Sequence, residues 1–164
     1  MNLIFKIFGV ACILLSAALI SYKYSEHLDF RVALTRSFYD LLTHIKNKIS
    51  VYLAPPSELL SNFSSDALSR CGFLSLAKEV GSPKEAYLVL EKSLCLTPET
   101  KRILDSYFEV FAVTYKDGLL KATELAESAL GEETKKEMER LPTDKKLGRV
   151  VIFAIALGAV ILLI

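Results

Sequence analysis

The sequence GSPKEAYLVLEKSLCLTPETKRILDSYFEVF, residues 81–111, contains two helix start signals in succession. In each signal a hydroxyl residue is followed directly by proline and, one or two residues later, by glutamate, in Ser82-Pro83-Lys84-Glu85 and in Thr97-Pro98-Glu99. A serine or threonine side chain can accept a hydrogen bond from a free amide at a helix N-terminus, and proline is tolerated in the first turn because it has no amide to leave unpaired. We therefore predict two consecutive helices, the first of which ends near Leu94. The second carries an apolar face of Ile103, Leu104, Tyr107, Phe108 and Phe111.

Three further helices are predicted on the N-terminal side of this stretch. Residues 25–49 form a long helix whose apolar face keeps helical spacing and contains Leu28, Val32, Leu34, Phe38, Leu41, Leu42 and Ile45. Ala54-Pro55-Pro56-Ser57 ends this helix because proline lacks an amide donor and restricts the residue before it. A short helix from Glu58 to Phe63 follows. Asp66 then caps a helix that Gly81-Ser82-Pro83 ends.

On the C-terminal side, Asp117-Gly118 is predicted to interrupt the helix that starts at Thr97. Residues 119–141 form a last helix, which Pro142 breaks before Thr143 or Asp144 caps a terminal helix. These segments add up to about six helices, enough for an independent hydrophobic core with short connections between antiparallel neighbours. The predicted fold of residues 22–146 is a small helical bundle.

The N-terminal stretch LIFKIFGVACILLSAALI, residues 3–20, is long enough to cross a bilayer as a helix. Its one charge, Lys6, is close enough to the start of the stretch to reach the headgroups. A cleaved secretory signal and a lipoprotein anchor at Cys12 are the alternatives. Neither fits as well, because the apolar run is as long as a full span and continues beyond the cysteine. We predict an uncleaved transmembrane helix at residues 1–21.

The C-terminal stretch LGRVVIFAIALGAVILLI, residues 147–164, contains fifteen consecutive apolar or small residues after Arg149. An apolar run of this length at the end of a soluble domain would promote aggregation, so we predict a second transmembrane helix at residues 147–164. The predicted fold class is thus all-α, with a cytoplasmic bundle of about six helices between one N-terminal and one C-terminal transmembrane helix. Small residues such as Gly9 and Gly158 leave open whether the two spans pair.

Cations flank the predicted spans on their inner sides. Lys23, Arg31 and Arg36 follow the first span, and Lys135, Lys136, Arg140, Lys145, Lys146 and Arg149 precede or begin the second. Loops rich in lysine and arginine stay in the cytoplasm. The central domain is therefore predicted to be cytoplasmic.

The composition argues against nucleic-acid binding and against a cysteine metal site. The formal net charge is +1, from 20 basic and 19 acidic residues, so no strong field favours nucleic acid. The three cysteines, Cys12, Cys71 and Cys95, have no metal-ligand spacing and are predicted to be reduced packing residues.

No phosphate-binding loop, dinucleotide-binding glycine pattern, nucleophile elbow or zinc motif occurs in the sequence. His27 and His44 are predicted to be surface or partly buried imidazoles without a catalytic role. The acidic residues Glu132, Glu133, Glu137 and Glu139 alternate with Lys135, Lys136 and Arg140, which predicts ion pairs on a solvated helix. We predict no enzyme activity, and no catalytic, cofactor-binding or metal-binding residue.

The order of parts resembles one known family across essentially the whole chain. The likeness is strongest at Gly81-Ser82-Pro83-Lys84-Glu85-Ala86 and in the leucine- and glycine-containing segment KKLGRVVIFAIALGAVILLI. Both stretches are similar to those of stage III sporulation protein AB, a membrane protein of endospore-forming bacteria.

This resemblance implies a function and a set of partners. The family's cytosolic domain is similar to the platform proteins of type II secretion and type IV pilus machines (GspF-like proteins). The implied role is a non-enzymatic platform or scaffold subunit of the channel between mother cell and forespore, at the mother-cell side of the outer forespore membrane. The implied partners are the other proteins of the stage III A operon, including a secretion-type ATPase, together with membrane lipids, a possible second copy of the chain and no nucleic acid.

A second hypothesis keeps the membrane anchors and changes the partner. The chain would then be a two-span adaptor or regulator that binds another cytoplasmic protein.

Overall fold

The computed structural model describes residues 2–51, 60, 62–111 and 116–163, and the side chains of residues 7–50, 60, 62–111 and 118–162. These residues form six helices and no strand. The helices are α1 (Asn2–Val51), α2 (Asp66–Arg70), α3 (Phe73–Val80), α4 (Pro83–Leu90), α5 (Pro98–Phe111) and α6 (Lys116–Leu163). The predicted all-α class is confirmed for the described part of the chain.

The chain packs as two compact units. Unit 1 comprises Met1–Asp29 and Met138–Ile164, and unit 2 comprises Phe30–Glu137. Helices α1 and α6, of 50 and 48 residues, contribute to both units, whereas α2 to α5 belong to unit 2. The ends of the two transmembrane helices predicted from the sequence, at residues 21 and 147, stay predictions.

The core of unit 2 is formed by the second half of α1, the four short helices and the first half of α6. The seven residues predicted for the apolar face of α1 are all buried, and five of them belong to this core: Leu34, Phe38, Leu41, Leu42 and Ile45. Phe38 meets Phe73 edge to face, with ring centroids 5.3 Å apart, and Tyr87 stacks on Phe108 at 4.6 Å. Aromatic pairs of this kind add stabilisation beyond the area that they bury. They join α1, α3, α4 and α5 into one core.

The two helix start signals of residues 81–111 are confirmed. Ser82 Oγ accepts a hydrogen bond from the Glu85 amide at 3.4 Å, and Thr97 Oγ1 accepts one from the Thr100 amide at 3.1 Å. The predicted end of the first helix is wrong, because α4 ends at Leu90 rather than near Leu94. The Ser93 amide and hydroxyl both donate to the Leu90 carbonyl, each at 2.8 Å, and this closes a turn at the helix end.

The predicted cap at Asp66 is wrong by one residue. Ser65 is the N-cap and accepts a hydrogen bond from the Leu68 amide at 3.4 Å, while Asp66 is the first residue of α2. The single helix predicted from Asp66 is two helices, since Gly72 between them adopts a φ of 80°. Glycine occupies this left-handed region without the steric cost that other residues incur.

The predicted break at Pro142 is also wrong, because α6 runs through it to Leu163. Proline removes one backbone hydrogen bond and bends a helix without having to end it. Pro142 is exposed, so water can satisfy the carbonyl that loses its partner. Asp117-Gly118, the other predicted interruption, lies in the first turn of α6.

Two predicted features lie outside the described residues. The Ala54–Ser57 turn is not described, and of the short helix predicted from Glu58 to Phe63 the structure describes only residues 60, 62 and 63, none of which is helical.

Within the described residues, one helix is long and apolar enough to cross a membrane. Within residues 7–50 of α1, the most apolar 18-residue window has a mean hydropathy of 1.7, and only 11% of that window is buried. A candidate span near the N-terminus is therefore present, and the span predicted at residues 147–164 stays a prediction.

Candidate interaction surfaces

The residues that enzymes most often use are dispersed in this structure. His27 is exposed, and the His44 ring packs against Phe63 with centroids 5.3 Å apart. The Cys71 thiol donates to the Leu68 carbonyl at 3.4 Å, and burial raises its pKa, which keeps the thiol protonated and unreactive. No group of three or more metal-ligating side chains occurs among the described residues.

In unit 1, the two apolar segments of α1 and α6 pack against each other through small residues. Ala17 and Ala156 are buried, and both line a cavity of 420 Å³ that residues of the two segments form. A Cβ atom added at Gly148 would lie 2.1 Å from Tyr24 Cε1, so the Tyr24 ring lies against the glycine backbone. Lys145 and Asp29 form an ion pair of 2.6 Å at the polar end of the contact. The segments thus pair, although Gly158 faces open space and takes no part.

The outer surface of the two apolar segments of unit 1 is largely apolar over residues 7–20 and 150–162. Large aliphatic and aromatic side chains stand exposed on both segments, and they include Phe8, Leu15, Leu19, Ile155 and Leu162. Soluble monomers rarely expose an apolar surface of this extent, which is typical of contact with lipid or with other membrane helices.

In unit 2, one buried carboxylate joins three helices. Glu137 of α6 is only 5% exposed, and its Oε1 atom lies 3.3 Å from the Thr35 hydroxyl of α1. The hydroxyls of Thr97 and Thr100, at the start of α5, lie 3.1 and 3.2 Å from the same oxygen. The Oε2 atom has no hydrogen-bond partner among the described residues. The helix N-terminus of α5 favours a negative charge at this position.

This cluster corrects the prediction of a solvated acidic run at Glu137, whereas Glu132 and Glu139 are exposed as predicted. Glu137 is buried, and Glu132, Glu133 and Glu139 form no ion pair with the neighbouring lysines or with Arg140 among the residues described here. The sequence held a signal for the burial, because Glu137 continues a stripe of helical spacing that contains Thr123, Ala126, Leu130 and Thr134.

An open groove of 530 Å³ lies between α1 and α6 in unit 2, and we call it the charged groove. Helix α1 contributes Arg36, Tyr39 and Asp40. Helix α6 contributes seven residues from Glu124 to Lys135, among them Glu127, Ser128, Gly131 and Glu132. The helices run antiparallel here, since Thr35 meets Glu137 at one end and Thr43 meets Glu127 at the other.

The ion pair of Glu127 and Lys46 fixes the far end of the charged groove. Glu127 accepts hydrogen bonds from the Lys46 ammonium and, at 2.8 Å, from the Thr43 hydroxyl. Burial by itself would raise the pKa of Glu127, but the hydrogen bonds from Lys46 and Thr43 outweigh it and the pKa is lowered. A Cβ atom on Gly131 would lie 3.2 Å from Tyr39 Cε2, so the tyrosine ring packs closely on the α6 backbone. These contacts hold the two walls together.

Residues 6–164 match a family model described as stage III sporulation protein AB. The chain belongs to the stage III sporulation protein AB family. The resemblance found in the sequence is thereby confirmed at the level of the family, and a role in stage III of sporulation follows. This family is a structural sporulation family and is not a known enzyme family. No curated protein and no solved structure matches the chain.

Proposed function

We propose that this member of the stage III sporulation protein AB family is a non-enzymatic platform subunit of a transport channel between mother cell and forespore. The observation that carries the proposal is the construction of α1 and α6. Each is a single helix of about 50 residues that combines an apolar, exposed segment with a segment of the packed unit 2. Such helices suit a subunit that connects a membrane assembly to soluble machinery.

In this proposal both apolar segments cross the membrane as a pair. Their packing through Ala17, Ala156 and Gly148 is typical of membrane helices, where small residues allow close backbone approach. Unit 2 lies in the cytoplasm, because lysines and arginines are concentrated next to both segments. The membrane is the outer forespore membrane, on its mother-cell side.

The proposed partners are a secretion-type ATPase and the other membrane proteins of the stage III A operon. The proposed likeness of unit 2 to secretion and pilus platform proteins supports this choice. It rests on the sequence resemblance and on the all-helical core of unit 2. The chain acts through protein contacts, with lipid around its anchors and no nucleic acid.

Deletion of the gene in its host, with complementation from a second site, tests the proposal. The expected result is loss of heat-resistant spores, with cells arrested after engulfment and rescued by complementation. Normal spore yield after deletion would contradict the proposal and favour the two-span adaptor or regulator.

A further inference from the structure

We propose that the charged groove receives a basic amphipathic segment of a partner protein. This inference deepens the proposed function, on which it rests, by naming the surface through which unit 2 is held in the assembly. It is argued from the charges, the exposed apolar side chain and the rigidity of the groove.

The groove contains carboxylates that form no ion pair. Asp40, Glu124 and Glu132 line it, and none of the three forms an ion pair with another described residue. Glu127 is neutralised by Lys46. The remaining charges of the lining are thus three negative, from Asp40, Glu124 and Glu132, and two positive, from Arg36 and Lys135. Lys46 also interacts with Glu124 through its charge.

The spacing of these carboxylates indicates where a partner segment would carry its basic residues. Glu132 and Glu124 are eight residues apart on α6, which corresponds to about 12 Å along the helix axis. A partner helix that carries lysines or arginines two turns apart matches this distance. Charge complementarity of this kind directs association and fixes the register of a complex. The same carboxylates repel the anionic headgroups of a membrane.

An exposed leucine supplies an apolar anchor beside the charges. Leu125 is 65% exposed and stands on the same stripe of α6 as Glu132, seven residues away. Tyr39, half-buried, lies in the groove. Tyrosine is one of the residues that contribute most of the binding energy at interfaces, and an exposed leucine nearby adds apolar area that a partner can bury. The partner segment is therefore expected to be amphipathic as well as basic.

The walls of the groove are set before any partner binds. The Lys46–Glu127–Thr43 contacts and the packing of Tyr39 on Gly131 connect α1 and α6 directly. A partner helix would therefore lose little binding energy to reorganisation of the groove.

Photo-crosslinking in sporulating cells tests this inference on the full chain. A photoreactive phenylalanine analogue replaces Ser128, an exposed residue of the groove, and in a control strain it replaces Ser106, an exposed residue of α5. The expected result is an adduct at position 128, absent at 106, whose partner peptide carries a surplus of lysine and arginine. An adduct to a second copy of this chain, to lipid or to a segment without a basic surplus overturns the inference, and so does a yield at 128 no greater than at 106.

Matched charge reversals sharpen the test. Glu124→Lys with Glu132→Lys is expected to lower the crosslink yield about tenfold, as a loss of ~1.4 kcal/mol would. Glu79→Lys with Glu109→Lys makes the same change of net charge at exposed positions outside the groove and is expected to change the yield less than about twofold. Equal effects of the two pairs contradict the inference. Spore yield after gene deletion is scored separately, so a platform that works without the groove is distinguished from a chain that is no platform.

Discussion

Glu137 is buried, although its sequence context predicts an exposed side chain. Its neighbours Glu133, Lys136 and Arg140 are charged, and this local composition predicts a solvated helix surface. The carboxylate is buried because three threonine hydroxyls from α1 and α5 converge on it, and those threonines are 37 to 102 residues away in the sequence. Contacts at such separations leave no local pattern apart from the apolar stripe to which Glu137 belongs.

Replacement of Glu137 by alanine is expected to destabilise unit 2 by about 2–3 kcal/mol, because two buried hydroxyls and one half-buried hydroxyl lose a shared acceptor. Glu137→Gln keeps one acceptor oxygen and should cost less. Urea unfolding of the full chain in mild detergent measures both. The control is Glu139→Ala, an exposed position on the same helix, which should stay within about 0.5 kcal/mol of the unaltered protein. Equal stability of Glu137→Ala and Glu139→Ala would contradict the assigned role of the cluster.

Stability is expected to depend on pH through Glu127, whose pKa is lowered in the folded protein. A carboxyl group with a lowered folded-state pKa contributes stability above its unfolded value, about 4.3 for glutamate, and loses it as the pH falls through the folded value. The stability difference between the unaltered protein and Glu127→Gln should therefore be largest near neutral pH and shrink below about pH 4. Thermal unfolding across this range measures the difference. A difference that grows on acidification would reverse the expected sign.

At the scale of the elements, helix starts were predictable and helix ends were less so. Ser82 and Thr97 cap the N-termini of α4 and α5 through hydrogen bonds to residues three positions later, and such local contacts can be predicted from a sequence pattern. Whether a helix continues through Pro142 or ends before Ser93 depends on tertiary packing as well as on the local preference of these residues. The sequence shows the local preference but not the packing. The charged groove was not predictable either, since it arises from the antiparallel register of residues about 90 positions apart.

The pairing of the apolar segments makes a prediction about disulfide formation. In a variant without the natural cysteines, Ala17→Cys and Ala156→Cys should form an oxidant-dependent disulfide, because both side chains are buried where the segments of unit 1 meet. Ala18→Cys with Ala154→Cys places both thiols at exposed positions and should react far less. Electrophoretic mobility before and after reduction reports the link. Equal reaction of the two pairs would show that the segments do not pack as described.

At the scale of the whole molecule, the family and the all-helical class of the described residues are established, and the two-span arrangement is a proposal. A prediction follows from it for topology. With the natural cysteines removed, a cysteine at Ser106 or Ser128 should react with a membrane-impermeant maleimide only after the cells are opened. The protein should also remain in the membrane after alkaline extraction. Labelling of intact cells at both positions would reverse the proposed orientation.

Affinity capture of the full chain from sporulating cells, under detergent conditions that keep membrane complexes intact, tests the central claim most directly. The account predicts co-purification of a secretion-type ATPase and of the other stage III membrane proteins, in amounts comparable to the bait. Recovery of the chain without these partners, when a tagged subunit of the same assembly captures them from a parallel culture, would contradict the platform role.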